Sequence, residues 1–212
     1  MYTGSGILCA VLAAVLVSSG CLSAIFPDPV PVSTQTPTPT PTPVPTTESP
    51  VATALVSQMA LQPSDIPSDY ILKDRSDRTY LEMSQMSHDL GWRAGYAVTY
   101  YRVNQEKYDL TGLRQVIDLY PLANMNKVFD IEKEAIDSQN TGTTKIYELP
   151  CPKQGDRTFA YRKTDDQSPL SVSTYTIIFT KKDVYEELTM GGTTTDFETL
   201  KGLAQIAADK IR

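Results

Sequence analysis

An α+β domain, built as an antiparallel sheet covered by helices, is the fold class this sequence predicts. Three observations carry the prediction. Strand-like segments in the second half follow one another at hairpin distances, which pairs them antiparallel. The helical segments carry apolar residues on one side only, as helices covering a sheet do. The last of them is specified at both ends: Thr195 and Glu198 make a capping box, Asp196 adds charge favourable to the first turn, and Lys210 and Arg212 sit at the negative end. A C-terminal helix packed on the sheet therefore closes the domain.

Taken in order, Pro63-Ser-Asp-Ile-Pro67 turns into a short strand over 68–72. Residues 77–90 read as a helix that offers Leu81, Met83, Met86 and Leu90 to the core, with Gly91 placed to end it. Strands follow over 94–103 and 113–120, the second alternating Leu113, Ile117 and Leu119 around Gln115. Residues 124–139 predict a helix capped by Asn124, with Met125, Val128, Phe129, Ala135 and Ile136 on one side. Four strands are then expected over 144–149, 158–163, 172–180 and 184–190, with Lys181-Lys182-Asp183 turning the last pair. In the final helix Phe197, Leu200, Leu203, Ala204, Ala207 and Ile211 share a face. The expected order is β-α-β-β-α-β-β-β-β-α.

Ahead of this domain the composition changes twice. Residues 1–27 have no charged side chain, and an apolar run over 7–17 is followed by Ser18-Ser19-Gly20-Cys21. That pattern reads as a signal peptide over 1–20 cut before Cys21, whose sulfur then carries lipid in a short N-terminus over 21–26. A retained membrane-spanning helix over 7–26 has the necessary length, but Ser18, Ser19 and Gly20 interrupt it. No Lys or Arg precedes Lys73, so the usual positive flank is missing under either reading. Residues 27–50 hold nine of the 15 prolines and seven threonines. Proline fixes φ and removes the N–H donor, which makes this stretch an extended stalk of about 70 Å at about 3.1 Å per residue. Its threonines suit O-glycosylation. The remaining 51–212 form one extracytoplasmic domain on the outer face of the cell membrane, anchored there by lipid.

Charge narrows the classes of partner. All 19 basic residues lie in 51–212 with 23 of the 25 acidic ones, so the domain has a net charge near −4 (19 − 23) and no basic run. It has no footprint for nucleic acid. Cys151 is the one cysteine beyond Cys21, so no internal disulfide is expected. Standing between Pro150 and Pro152, it lacks a neighbour that would activate it.

Catalytic and metal-binding motifs are scarce. His88 is the sole histidine, and Ser87-His88-Asp89 cannot form a relay because adjacent helical residues point about 100° apart. Neither a metal nor another cofactor is called for: Asp165-Asp166 and Glu186-Glu187 lack the spacing of a calcium loop and read as solvated charge. Gly191-Gly192 reads as a plain turn before the last helix, with no Lys following to make a phosphate loop. One feature suggests binding. Trp92, Tyr96, Tyr100 and Tyr101 crowd one strand beside Arg93 and Arg102, and Tyr96, Val98, Tyr100 and Arg102 share a face. Left open, a Trp92–Tyr96–Tyr100–Arg102 patch would bind an envelope protein or a small ligand. Packed beneath a helix, it would be ordinary core. The expected role is a non-catalytic binding or assembly module; the rivals are an enzyme with Asp/Glu or Ser groups gathered by the fold, and a structural envelope component.

The leader, Cys21 and the Thr-Pro stalk resemble those of archaeal cell-surface lipoproteins, methanogens in particular, over residues 1–50. The domain resembles the extracytoplasmic α/β/α sandwiches of the photosystem accessory protein PsbP and of mycobacterial LpqN-like lipoproteins. The likeness rests on Leu61-Gln-Pro-Ser-Asp-Ile-Pro67, on Gly155-Asp156, and on Ile177-Ile178-Phe179 through Val184-Tyr185 before a helix containing Leu203-Ala204. Relatives of this kind place glycine where Lys182-Asp183 stands. The resemblance implies binding or assembly rather than catalysis, and it brings no catalytic residues.

Overall fold

The computed structural model describes residues 50–104, 109–165 and 172–212, all within one compact unit, Pro45–Arg212. The leader, Cys21 and the stalk up to residue 49 lie outside the described residues, as does Asp166. The elements are α1 (Pro50–Met59), β1 (Ile71–Arg78), α2 (Gln85–Asp89), β2 (Ala94–Asn104), β3 (Asp109–Leu119), α3 (Met125–Asp137), β4 (Thr144–Glu148), β5 (Arg157–Asp165), β6 (Ser173–Lys181), β7 (Val184–Gly192) and α4 (Phe197–Lys210). All seven strands join one antiparallel sheet in the order β1-β2-β3-β7-β6-β5-β4. The fold is α+β, as the patterning predicts.

Because side chains alternate across a strand, the sheet supports two cores back to back. On one face α1 and α4 cover Val98, Leu113, Ile117, Ile177, Phe179 and Leu188. On the other, α3 lies over β6 and β7 and packs Val128, Phe129 and Ile136 against Phe159, Tyr161, Ile178 and Tyr185. Helix α3 covers only part of its face. Among the described residues, the half built from β1, β2 and β3 has no helix of comparable length above it.

Three expectations need correction, the first being the strand over 68–72, which instead starts at Ile71 and runs on to Arg78. The helix expected over 77–90 shrinks to α2, and its first residues belong to β1. Strand β1 is an edge strand whose side chains are exposed up to Arg78, so nothing in it needs to be apolar and it carries no period-2 signal. Leu81 is 94% exposed and Met86 52%, whereas Leu90 alone of the expected four is fully buried. Gly91 does end the helix: at φ 79 it completes a Schellman pair, Gly91 N–H to His88 O at 2.8 Å and Trp92 N–H to Ser87 O at 2.9 Å. Helix α1 was not foreseen; Pro50, assigned to the stalk, is its first residue, a position that tolerates a missing N–H.

Caps shift by small steps. Asp196, not Thr195, caps α4, accepting from Glu198 N–H at 3.0 Å and Thr199 N–H at 3.3 Å. Asn124 makes no capping bond; its amide donates to Leu90 O at 3.0 Å. Lys182, first residue of the β6–β7 turn, adopts φ 58 where glycine is usual, and Asp156 holds it by accepting its N–H at 2.8 Å. Gly191-Gly192 ends β7 rather than forming a free turn.

Candidate functional site

Strand register builds the site. Arg78, Gly95, Asp118 and Tyr185 form one transverse row across β1, β2, β3 and β7 on the face that α3 partly covers. Arg78 and Asp118 are two strands apart, about 9–10 Å of backbone separation. They nonetheless form an ion pair, because Gly95 between them has no side chain; a Cβ there would collide with Asp118 Oδ1. Asp118 also accepts from the Trp92 indole N–H at 2.8 Å. Burial raises the Asp118 carboxyl above its ordinary value, and the Arg78 charge and the Trp92 hydrogen bond pull against it.

Above this row lies a cleft of about 290 Å³. Its floor is β3 and β7; one wall is Glu132 of α3, and the other is the stretch Glu82–Ser87. Four carboxylates face it (Glu82, Asp118, Glu132, Glu187) against two guanidiniums, Arg78 and Arg114. Their states differ. Glu82 accepts Thr79 N–H at 2.7 Å and is held below the usual carboxylate range by that bond. Glu187 accepts from Thr189 Oγ1 at 3.1 Å. Glu132 has no ion-pair partner among the described residues, and its carboxyl is raised by burial and then by Glu187 and Asp118.

Two phenols complete the cleft. Burial pushes Tyr120 up to about 12, and its hydroxyl meets Ser87. Tyr185 is 4% exposed and its hydroxyl has no hydrogen-bond partner among the described residues. Burial, then the charges of Glu187, Glu132 and Asp118, hold it far above the ordinary tyrosine range, so it remains a neutral donor. A buried hydroxyl without a partner costs about 1–3 kcal/mol unless something accepts from it.

The aromatic patch expected on β2 is not an open surface. Tyr100 is 2% exposed, and its hydroxyl donates to Leu61 O at 2.8 Å beneath α1. Tyr96 is half-buried on the same face and packs against that core. Arg102 reaches Asp69 at 3.4 Å and Asp109 at 3.8 Å, and donates to Thr194 O at 2.9 Å. Trp92 belongs to the other core, and through Asp118 it is the one member of the set that touches the cleft.

Glu186-Glu187 is not a solvated pair. Glu187 lines the cleft, and Glu186 on the opposite face is fully buried, accepting from Gln115 Nε2. His88 is half-buried and stacks on Tyr80 at 3.7 Å between ring centroids. Cys151 packs against the α1–α4 core, and burial raises its thiol, which keeps it protonated. No group of three or more His, Cys, Asp or Glu among the described residues is arranged to hold a metal ion.

Two signals in the sequence could have found the cleft. Glu132 falls three residues after Phe129 and four before Ile136, on the buried stripe of α3, while Ala135 is exposed. Asp118 interrupts an apolar run between Ile117 and Leu119. Arg78, Tyr185 and Glu187 carry no such mark.

The chain matches no protein-family model, and no curated protein matches its sequence. Among solved structures it is similar to the extracellular domain of PknH from Mycobacterium tuberculosis, with a TM-score of 0.56 over 77% of this chain and 98% of that one. Sequence identity is 12%, so the likeness is one of fold. Among the described residues no helix is long and apolar enough to cross a membrane.

Proposed function

We propose that this protein is a lipid-anchored extracytoplasmic recognition module, and that the cleft between α3 and the Glu82–Ser87 stretch takes a small polar ligand. The observation that carries the binding role is the cleft itself: a polar concavity over the half of the sheet that α3 leaves open, lined in part by Tyr185, whose buried hydroxyl has no partner among the described residues. Its size falls just under the usual range of ligand pockets, roughly 300–1,000 Å³, as suits a small ligand. The tethering half rests on sequence: the uncharged leader, Cys21 and the proline–threonine stalk, which together resemble archaeal surface lipoproteins. The PknH domain of like fold is described as extracellular, which agrees with this placement. The expected kinship with PsbP and LpqN-like sandwiches belongs to the same reading.

Cys21→Ala in the native host should move the protein from the membrane fraction to the soluble extracytoplasmic fraction; unchanged membrane retention would remove the lipid anchor. For recognition, the full chain in detergent is heated with small molecules of positive, negative, zwitterionic and neutral type. At least one class should raise the melting temperature, and silence across all four would end the binding reading.

A further inference from the structure

Resting on that reading, we infer that the cleft receives an organic cation, a protonated amine or a guanidinium, held by Glu132 and Glu187 with the Tyr185 hydroxyl donating to a ligand acceptor or to the carboxylate that the cation orders. Three observations converge. Carboxylates outnumber guanidiniums four to two around the cavity, and Arg78 is already engaged with Asp118. Glu132, half-buried, stands in line with Val128, Phe129 and Ile136 on α3, without an ion-pair partner among the described residues. Tyr185, 4% exposed, lines the same space, and its unpartnered hydroxyl feels the charges of Glu187, Glu132 and Asp118.

A buried carboxylate is tolerated when it is paired, and an unpaired one favours whatever cation reaches it. The four acids come from the Glu82–Ser87 stretch, β3, α3 and β7, and they are spread around the cavity rather than converging on a point. A metal ion needs converging oxygens; an amine or guanidinium spreads its N–H donors over several acceptors. Arg114 sits at the exposed end of β3's contribution, in the transverse row of Thr189, and makes no ion pair among the described residues. It lowers but does not cancel the negative excess.

The test uses the full chain in detergent, titrated with putrescine and agmatine as cations, L-alanine as zwitterion and acetate as anion, with a trilysine peptide as a separate arm. The cations should bind. Glu132→Gln and Glu187→Gln, which keep shape and remove charge, should each weaken them about tenfold, the size of one charge-assisted hydrogen bond. Tyr185→Phe should weaken them about threefold while the chain keeps its far-UV spectrum. Binding of trilysine but not of putrescine would place the same cation on a peptide side chain. Cation binding indifferent to both Gln variants would overturn the site. Binding of acetate or alanine in place of the cations would overturn the charge class and leave the recognition reading standing; binding of nothing would remove both.

Discussion

Glu186 is a carboxylic acid placed entirely out of reach of water. It is wholly enclosed under α1 and α4, with one oxygen accepting from Gln115 and the other without a partner among the described residues. Burial raises its carboxyl from 4.5 to about 8, against the opposing Gln115 bond and the Lys210 charge. The folded chain therefore holds a proton that the unfolded chain has released across that window. This stabilisation is complete below the unfolded value and is lost as pH climbs through the folded one, at up to about 1.4 kcal/mol per pH unit. Glu186→Gln keeps an acceptor for Gln115 and removes the titration. Melting temperatures of the two proteins should converge near pH 4.5 and separate by pH 8, with the variant higher; parallel curves would show that Glu186 does not bind that proton.

At the scale of elements, α1 is seated by Leu61, two residues beyond its end. Leu61 N–H donates to Gln115 Oε1 at 2.7 Å, and Leu61 C=O accepts from Tyr100 at 2.8 Å, so both backbone groups are satisfied by side chains from β2 and β3. That is why Tyr100 lies inward. Tyr100→Phe leaves the carbonyl without its donor, which should cost about 1–2 kcal/mol and speed amide exchange in α1 ahead of the sheet. Equal exchange in both proteins would show that α1 is held by its apolar contacts alone. Elements were legible where burial imposes a period: β2, β3 and the strands from β4 to β7 fall within a few residues of expectation, and α3 and α4 show their stripes. Strand β1 was not, since an edge strand with exposed side chains has no pattern, and its charges read equally well as a helix surface. Helix α1 hid behind the proline run that precedes it. The site was legible only at Trp92, which reaches it through Asp118; Tyr96, Tyr100 and Arg102 share a strand face as expected, but α1 and the surrounding loops occupy it.

For the whole molecule, the decisive feature is one sheet serving two cores. On β6 the neighbours Ile177 and Phe179 belong to the α1–α4 core while Ile178 belongs to the α3 core. Neither core can lose its sheet without the other losing its floor, so the described domain should unfold in one cooperative step. Leu200→Ala on the buried side of α4 and Phe129→Ala on the buried side of α3 should each lower the same single transition, by roughly 2–5 kcal/mol. Two separable melts in either variant would show the faces to be independent. The chain by itself determined its fold class, its hairpin-rich second half, its last helix and an expected tether at Cys21, because periodicity, capping and composition are local properties. The cleft was decided only by tertiary structure. Its charges come from segments far apart in the chain, and they meet because strand register sets Arg78, Asp118 and Tyr185 in one row, a missing side chain at Gly95 lets two of them touch, and α3 packs on Tyr185 without extending over Arg78.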